Sequence, residues 1–420
     1  METEKRALAL CAVGAEKVAA QELRRLGLEV EESGFGRVRF RSGLAGLYRA
    51  LMALRTVDRL LLEASVFSAR DFDGLFEGAR AVPWEEYIGR DMGLAVDKVR
   101  SSRSVLRAET SIQAVVHKAA AERLCGVYGV NRLPDAGKMA RLRVYVEKDR
   151  VSLLLDLCGE PLFKRGYRQE GGAAPLRETI AAALLQLSLW RRKFPLYDPF
   201  CGSGTILAEA ALYAWDAAPG LGRRFALGDL LIAEASLEES IRAELLGRVN
   251  FEHTIRIFGS DRDAGILSLA AANLRRARDL ALGGGRRERP GPEPELPELR
   301  CLPMEEARSP RVQAPAKDAS MGEALVGDVS ADDASVGGVS AGDAGFIITN
   351  PPYGKRLGEP GDAESCYARM SLLRRGFPGW KLAVITDHPG FESFFGRAAD
   401  SCREISSGAL RSYFFQYRSL

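Results

Sequence analysis

The sequence predicts two unlike regions in one chain: an α+β unit with hairpins over residues 1–165 and a parallel α/β domain over residues 166–420. Three observations carry the division. Short strands and helices alternate up to about residue 157 and close on a tight hairpin. A basic, glycine-containing connector, PLFKRGYRQEGGAAP, then runs from Pro161 to Pro175. Beyond it the pattern changes to strand, turn, helix, strand, repeated, as a parallel sheet requires.

The elements follow in order. GAEKVAAQELRRLG, from Gly14 to Gly27, places Val18, Ala19, Leu23 and Leu26 on one side of a helical period and ends at a glycine. Arg37–Phe40 alternates basic and apolar residues as a short strand, and 44–54 is again helical in pattern. Ser111 is placed to cap the helix SIQAVVHKAAAERL, whose Ile112, Val115, Ala119 and Leu124 form an apolar stripe. Two strands, 142–147 and 151–157, follow, joined at Lys148-Asp149-Arg150. After the connector, Pro175 begins the apolar helix LRETIAAALLQLSLW.

Two stretches interrupt the second region. GGGRRERPGPEPELPE, from Gly283 to Glu298, cannot continue a helix. Residues 307–344 are rich in Ala, Gly, Ser and Asp and lack the large apolar residues that offset ordering entropy. Residues 283–344 are therefore expected to be a flexible, acidic insertion.

Composition narrows the function classes. With 46% hydrophobic and 27% charged residues the chain is globular in type, and no apolar run approaches a bilayer span, so a cytoplasmic address and no membrane are expected. Seven scattered cysteines without a C-x-x-C pair argue against a disulfide framework or zinc ribbon. The three histidines stand far apart, so no metal is expected. Residues 1–165 carry 28 Lys/Arg against 23 Asp/Glu, whereas 305–345 carry three against eight. A polyanion is attracted to the first and repelled by the second.

Chemistry concentrates at three strand ends. In LYDPFCGSGTILAEAA, Asp198 and Pro199 stop a strand and Gly202-Ser203-Gly204-Thr205 turns into an apolar helix. Glycine suits a backbone that approaches a ligand closely. The spacing is neither a P-loop nor a G-x-G-x-x-G fingerprint, and Asp198 suits a cationic amino group such as that of S-adenosyl-L-methionine. Pro199, Cys201, Gly202, Gly204 and Thr205 are expected to complete that cofactor loop. The next strand, IRIFGSDRD, delivers Asp261 and Asp263, of which Asp261 is the preferred acceptor for ribose hydroxyls. FIITNPPYGKRLGE then places Asn350-Pro351-Pro352-Tyr353 after the strand Phe346–Thr349. Consecutive prolines remove two backbone donors, which leaves the Asn350 amide and neighbouring carbonyls to accept the hydrogens of a planar amine. Tyr353 supplies a face on which a base can stack.

DPFCGSGT, GSDRD and NPPYGKRLGE resemble the cofactor and catalytic motifs of class I amino-methyltransferases of the N-P-P-Y type. KRGYR with APLRET, SIQAVVHKAAAERL before them and FPGWKLAVITD after them further resemble bacterial THUMP-containing guanine-N2 methyltransferases of 23S ribosomal RNA. The resemblance covers nearly the whole chain outside 283–344. It implies a ferredoxin-like segment plus a THUMP module that grips RNA, then a Rossmann-like methyltransferase domain with a seven-stranded sheet. S-adenosyl-L-methionine is the implied cofactor, and rRNA, with tRNA as the alternative, the implied partner. The family's adenine-contacting Asp has no match here; LRCLPMEEAR offers Glu305 or Glu306 in its place. Adenine N6 is the alternative target, since N-P-P-Y holds either amine. A non-catalytic RNA assembly factor is disfavoured by the intact motifs, and a thiouridine synthetase by the lack of a pyrophosphatase-type loop.

Overall fold

The computed structural model describes residues 4–168, 176–284, 294–310, 345–352, 362–408 and 410–420. Tyr353, Pro175 and most of 283–344 lie outside the described residues.

The N-terminal region opens with β1 (Lys5–Cys11), α1 (Glu16–Arg25), β2 (Glu29–Gly34), β3 (Arg37–Ser42), α2 (Leu44–Ala53) and β4 (Val57–Ser68). Their order β2-β3-β1-β4 is the ferredoxin-like arrangement. It continues through α3 (Phe72–Arg80), β5 (Gly93–Ser102), α4 (Glu109–Tyr128), β6 (Met139–Glu147) and β7 (Arg150–Asp156). Because β7 pairs antiparallel with β4, the two parts share one seven-stranded sheet, β2-β3-β1-β4-β7-β6-β5. Alternation sorts its residues: Val38 and Phe40 enter the core while Arg37, Arg39 and Arg41 stay at the surface. Lys148 and Asp149, both at positive φ, make the hairpin turn read from the sequence. The α4 start differs from expectation, since its N-cap is Ala108 and Ser111 lies inside the helix. A contact with the end of the preceding strand accompanies that start: the Glu109 carboxylate accepts from the Ser101 amide and from Arg100.

The second region comprises α5 (Glu178–Leu187), β8 (Leu196–Asp198), α6 (Thr205–Ala214), α7 (Ala235–Gly247), β9 (Ile257–Asp261), α8 (Ala264–Ala281) and β10 (Glu298–Cys301). It closes with β11 (Phe346–Thr349), α9 (Asp362–Met370), α10 (Leu373–Gly376), β12 (Lys381–Thr386), α11 (Phe391–Phe395), β13 (Ser401–Ser407) and β14 (Leu410–Tyr417). The sheet order is β10-β9-β8-β11-β12-β14-β13, with β10 to β12 parallel and β14 antiparallel to both neighbours. This is the seven-stranded class I methyltransferase sheet. Its two faces feed different apolar clusters: Phe346, Ile348 and Ile385 join one, Ile347, Leu382 and Val384 the other. Burial on both faces explains why these strands read as continuous apolar runs.

The 283–344 stretch is not uniformly an insertion. Within it, Glu298–Cys301 pairs parallel with β9, and a short turn of 3-10 helix spans Met304–Glu306. Its Pro and Gly content masked a strand of only four residues. The helix expected to run to Trp190 also stops early, because Leu189 takes φ +59° and the Trp190 indole bonds the Phe194 carbonyl. Among the described residues, no helix is long and apolar enough to cross a membrane.

One apolar cluster runs through both regions, from Ala7 to Phe414. Val13 bridges Ser406, and the Gly14 backbone, at φ +93°, lies against Glu404. A Cβ there would stand 2.3 Å from the Glu404 carbonyl oxygen. Gly14→Ala should therefore cost about 1–3 kcal/mol through strain and overpacking at the joint. Denaturant midpoints test this; a wild-type midpoint would show that the joint yields freely.

Candidate active site

In the second sheet the chain steps outward from β8 to β10 and then returns to lay β11 on the opposite side of β8. Loops after β8 and β11 diverge there, opening the crevice in which open α/β sheets bind ligands. Asp198 is the last residue of β8 and Asn350 the first after β11. The two strands are clamped at this level by the Thr349 hydroxyl, which donates to Asp198 Oδ1 at 2.6 Å. The Phe200 amide donates to the same oxygen at 3.1 Å. Asp198 is 2% exposed, and burial pushes its carboxyl up to about 7, opposed by those two hydrogen bonds and reinforced by the nearby Asp261 charge.

The loop after β8 is held from several sides. Asp261, at the end of β9, accepts from the Gly202 amide through Oδ2 and from the Asp263 amide through Oδ1, both at 3.1 Å. Gly204 takes φ +80° at the start of α6, where a Cβ would meet Ala270 at 3.2 Å. Fully buried Asn273 donates from Nδ2 to the Ser203 carbonyl at 2.9 Å. Arg276 bonds both Asn273 Oδ1 and the Tyr167 carbonyl, and Arg168 reaches the Thr205 hydroxyl at 3.4 Å. The connector between the two regions is thereby tied to both sides of Gly204.

A cavity of about 550 Å³ lies over these strand ends. Of the residues expected from sequence, Pro199, Gly202, Asp261, Asp263, Glu305, Asn350 and Pro352 form its wall. Asp198, Cys201, Gly204, Thr205 and Pro351 are buried behind it. Cys201 packs beneath Gly259, and burial pushes its thiol up. Asp263 spends Oδ1 capping α8, accepting from the Gly265 and Ile266 amides. Glu305 stands in the wall and pairs with Arg369 at 2.9 Å, whereas Glu306 is exposed. Sequence reading missed Thr349 as the clamp and α9 as the far wall, where Cys366 and Arg369 sit. The apolar-polar period of AESCYARM was the available signal for α9. The catalytic expectation on Tyr353 lies outside the described residues.

Asn350 Oδ1 is buried and has no hydrogen-bond partner among the described residues. An amide acceptor left open at a crevice fits a ligand that brings N–H donors. The cavity's donors and acceptors suit a nucleoside cofactor: a carboxylate at the end of β9 and glycine backbone over a helix N-terminus.

Residues 165–281 and 312–412 match the model of an RMKL-like methyltransferase domain, and residues 6–61 match an RlmL ferredoxin-like domain. The chain belongs to the RMKL-like methyltransferase family. It is 31% identical over 98% of its length, and 95% of the relative's, to the Bacillus subtilis protein named "Putative RNA methyltransferase YpsC". It is 33% identical over 94% of its length to the "Ribosomal RNA large subunit methyltransferase K/L" of Syntrophotalea carbinolica, and it spans about half, 51%, of that protein. SMU.472, solved with SAH, is 28% identical and superposes over the whole chain with a TM-score of 0.81. A Listeria monocytogenes protein described as a "predicted N6-adenine-specific DNA methylase" is 30% identical, with a TM-score of 0.82 over the whole chain. The cofactor of this RMKL-like methyltransferase is S-adenosyl-L-methionine.

The buried Asp198 makes a pH-dependent prediction. Its folded value of about 7 lies above the roughly 3.9 of an unfolded Asp. Between about pH 4 and 7 the native state holds a proton that the unfolded state has released, so this group's contribution to stability falls as pH rises. Asp198→Asn should flatten that decline, read as thermal midpoints across the window. Glu178, also raised to about 7, keeps its own share in both proteins, so the difference isolates Asp198. Parallel curves would show that Asp198 is ionised throughout.

Proposed function

We propose that this chain methylates the exocyclic N2 amine of a guanine in RNA, with large-subunit ribosomal RNA as the substrate. The observation that carries the reading is the open Asn350 acceptor at the end of β11, followed by Pro351 and Pro352, which offer no backbone N–H. An amine that must lose a hydrogen needs acceptors around it and no competing donors. The names of its relatives support RNA, and the ribosomal K/L proteins support the large subunit.

S-adenosyl-L-methionine, when bound, supplies an electrophilic methyl on a sulfonium. Asp261 is positioned to take the ribose hydroxyls, the Gly202 backbone to flank the ligand, and Glu305 to stand at the base end of the cavity. Asp198 acts from behind the wall: a bound cation at the methionine end would favour its ionised form, and the ionised carboxylate would in turn favour that cation. A guanine amine is a weak nucleophile because its lone pair is delocalised into the ring. Asn350 Oδ1 and the Pro351 carbonyl accept its hydrogens and orient the lone pair, so positioning supplies most of the acceleration. By its sequence position, Tyr353 provides the stacking face. The new N–C bond forms as the C–S bond breaks, and the amine proton leaves to solvent.

Adenine N6 is the second reading, favoured by the same acceptor geometry and by the description of the Listeria protein. Labelled cofactor with separate rRNA and tRNA pools, followed by nucleoside identification, decides between them. N2-methylguanosine in large-subunit rRNA is expected; N6-methyladenosine, or label in tRNA, would redirect the assignment.

Two substitutions test the roles. Asp261→Ala should weaken cofactor binding by roughly 1–3 kcal/mol in calorimetry, as a lost acceptor for buried hydroxyls. Asn350→Ala should slow single-turnover transfer by about 100- to 1,000-fold with cofactor affinity retained. Near-normal transfer would remove Asn350 from the chemistry, and lost cofactor affinity would make it a cofactor ligand.

A further inference from the structure

A second cavity lies away from the active site. It measures about 710 Å³ and opens where α1 and α2 of the first region meet α5, α6 and α7 of the second. Six cations line it: Arg25, Arg55, Arg191, Arg192, Lys193 and Arg248. The lining carboxylates are Glu22 and Asp216. Glu22 is already consumed, accepting from the Arg55 and Thr56 amides, the Thr56 hydroxyl and Gln186.

The state of these cations sets this cavity apart. None of the six forms an ion pair among the described residues; Arg192 and Arg191 each donate to a backbone carbonyl, of Ala214 and Trp190. Arg55 donates to the Leu212 and Ala217 carbonyls, and its buried Nη1 has no partner among the described residues. Two other basic hollows hold more of their charge in ion pairs, although Arg223 and Arg224 in the first and Lys148 and Arg150 in the second form no ion pair among the described residues. Beside the connector, Lys138 pairs with Asp91, Arg141 with Asp97, Lys164 with Glu160 and Arg165 with Glu209. On the open face of the first sheet, Arg37 pairs with Glu147, Arg6 with Glu31 and Arg39 with Glu63. A concave wall of unpaired cations concentrates positive potential and attracts an anion.

Position decides which anion. Arg191, Arg192 and Lys193 precede β8, whereas the active-site cavity lies at its carboxyl end. The two cavities stand at opposite ends of α6, whose ten residues span about 15 Å. A mononucleotide cannot reach both ends, but a folded polynucleotide with its target base in the crevice can lay its backbone on the basic seam. Five of the six cations, all but Arg55, are exposed, which suits a run of phosphates better than one small ligand held stoichiometrically. Resting on the RNA substrate argued above, we infer that this seam between the two regions is a second anchoring site for the RNA phosphodiester backbone.

The test uses the full chain and protein-free large-subunit rRNA. The triple variant Arg191→Gln, Arg192→Gln, Lys193→Gln alters surface side chains only, and Arg248→Gln probes the opposite wall independently. Cofactor affinity by calorimetry confirms an intact fold. The triple variant is expected to lose at least about tenfold in RNA affinity near 0.1 M salt. Its slope of log affinity against log salt should be shallower by about 0.7–0.9 for each phosphate contact removed. Arg191→Lys with Arg192→Lys should retain wild-type slope, because charge is kept. Wild-type affinity and slope in both neutralised variants, with cofactor binding intact, would overturn the anchor and leave the methyltransferase reading standing. Protection of the wild type by inorganic phosphate, lost in the variants while RNA binding is unchanged, would assign the seam to a small anion and overturn it too. A wild-type chain that methylates no RNA at all would remove the parent reading, and with it the anchor.

Discussion

The hydrogen bond from Thr349 to Asp198 is the contact on which the site depends. It joins the last residues of two parallel strands that are neighbours in space and 151 positions apart in the chain. Without it, a carboxyl that is 2% exposed would keep one amide donor and a severe desolvation cost. With it, the ends of β8 and β11 are fixed at one level, so the cofactor loop and the Asn350 acceptor face a common crevice. Thr349 does this without touching the cavity, which separates a residue that sets geometry from those that meet ligand.

A second layer of contacts ties the loop to the connector. The Tyr167 carbonyl, Arg276 and Asn273 lead to the Ser203 carbonyl, while Arg168 reaches Thr205 and also pairs with Glu178. Beneath them Arg165 is buried against Glu209, which also accepts from Tyr167. KRGYR is thus less a hinge than a rivet. Its arginines are inside the molecule, holding α6 against the first region, and the glycine loop inherits its rigidity from them.

Legibility followed locality. Phe346–Thr349 could be read to the residue, because an apolar run was stopped by Asn-Pro-Pro. The 148–149 turn was equally plain, since local turn chemistry sets it. The start of α4 was not legible, and in the fold Ser101 and Arg100, from the end of the preceding strand, donate to Glu109 there. Nor was β10, where four residues among prolines gain strand geometry only by pairing with β9. In the site, the motifs pointed to strand ends that share one cavity but could not separate wall from support. Asp261 and Gly202 face the cavity, whereas Cys201 and Gly204, in the same loop, serve packing.

Charge shows the same limit more sharply. The excess of Lys and Arg over acids in residues 1–165 points to that region as the attractor of a polyanion. In the fold, much of that charge is spent: Arg6, Arg37, Arg39, Arg41, Arg59 and Arg143 all face carboxylates on or beside the open sheet. The exposed pairs among these add little stability, and all of them cancel part of the far field that draws a phosphate backbone. Six cations without an ion pair among the described residues line the seam, three of them from a run, Arg191 to Lys193, that net charge by region assigns to the catalytic half. What a polyanion senses is the charge left over after pairing, and that quantity exists only once the two regions are docked.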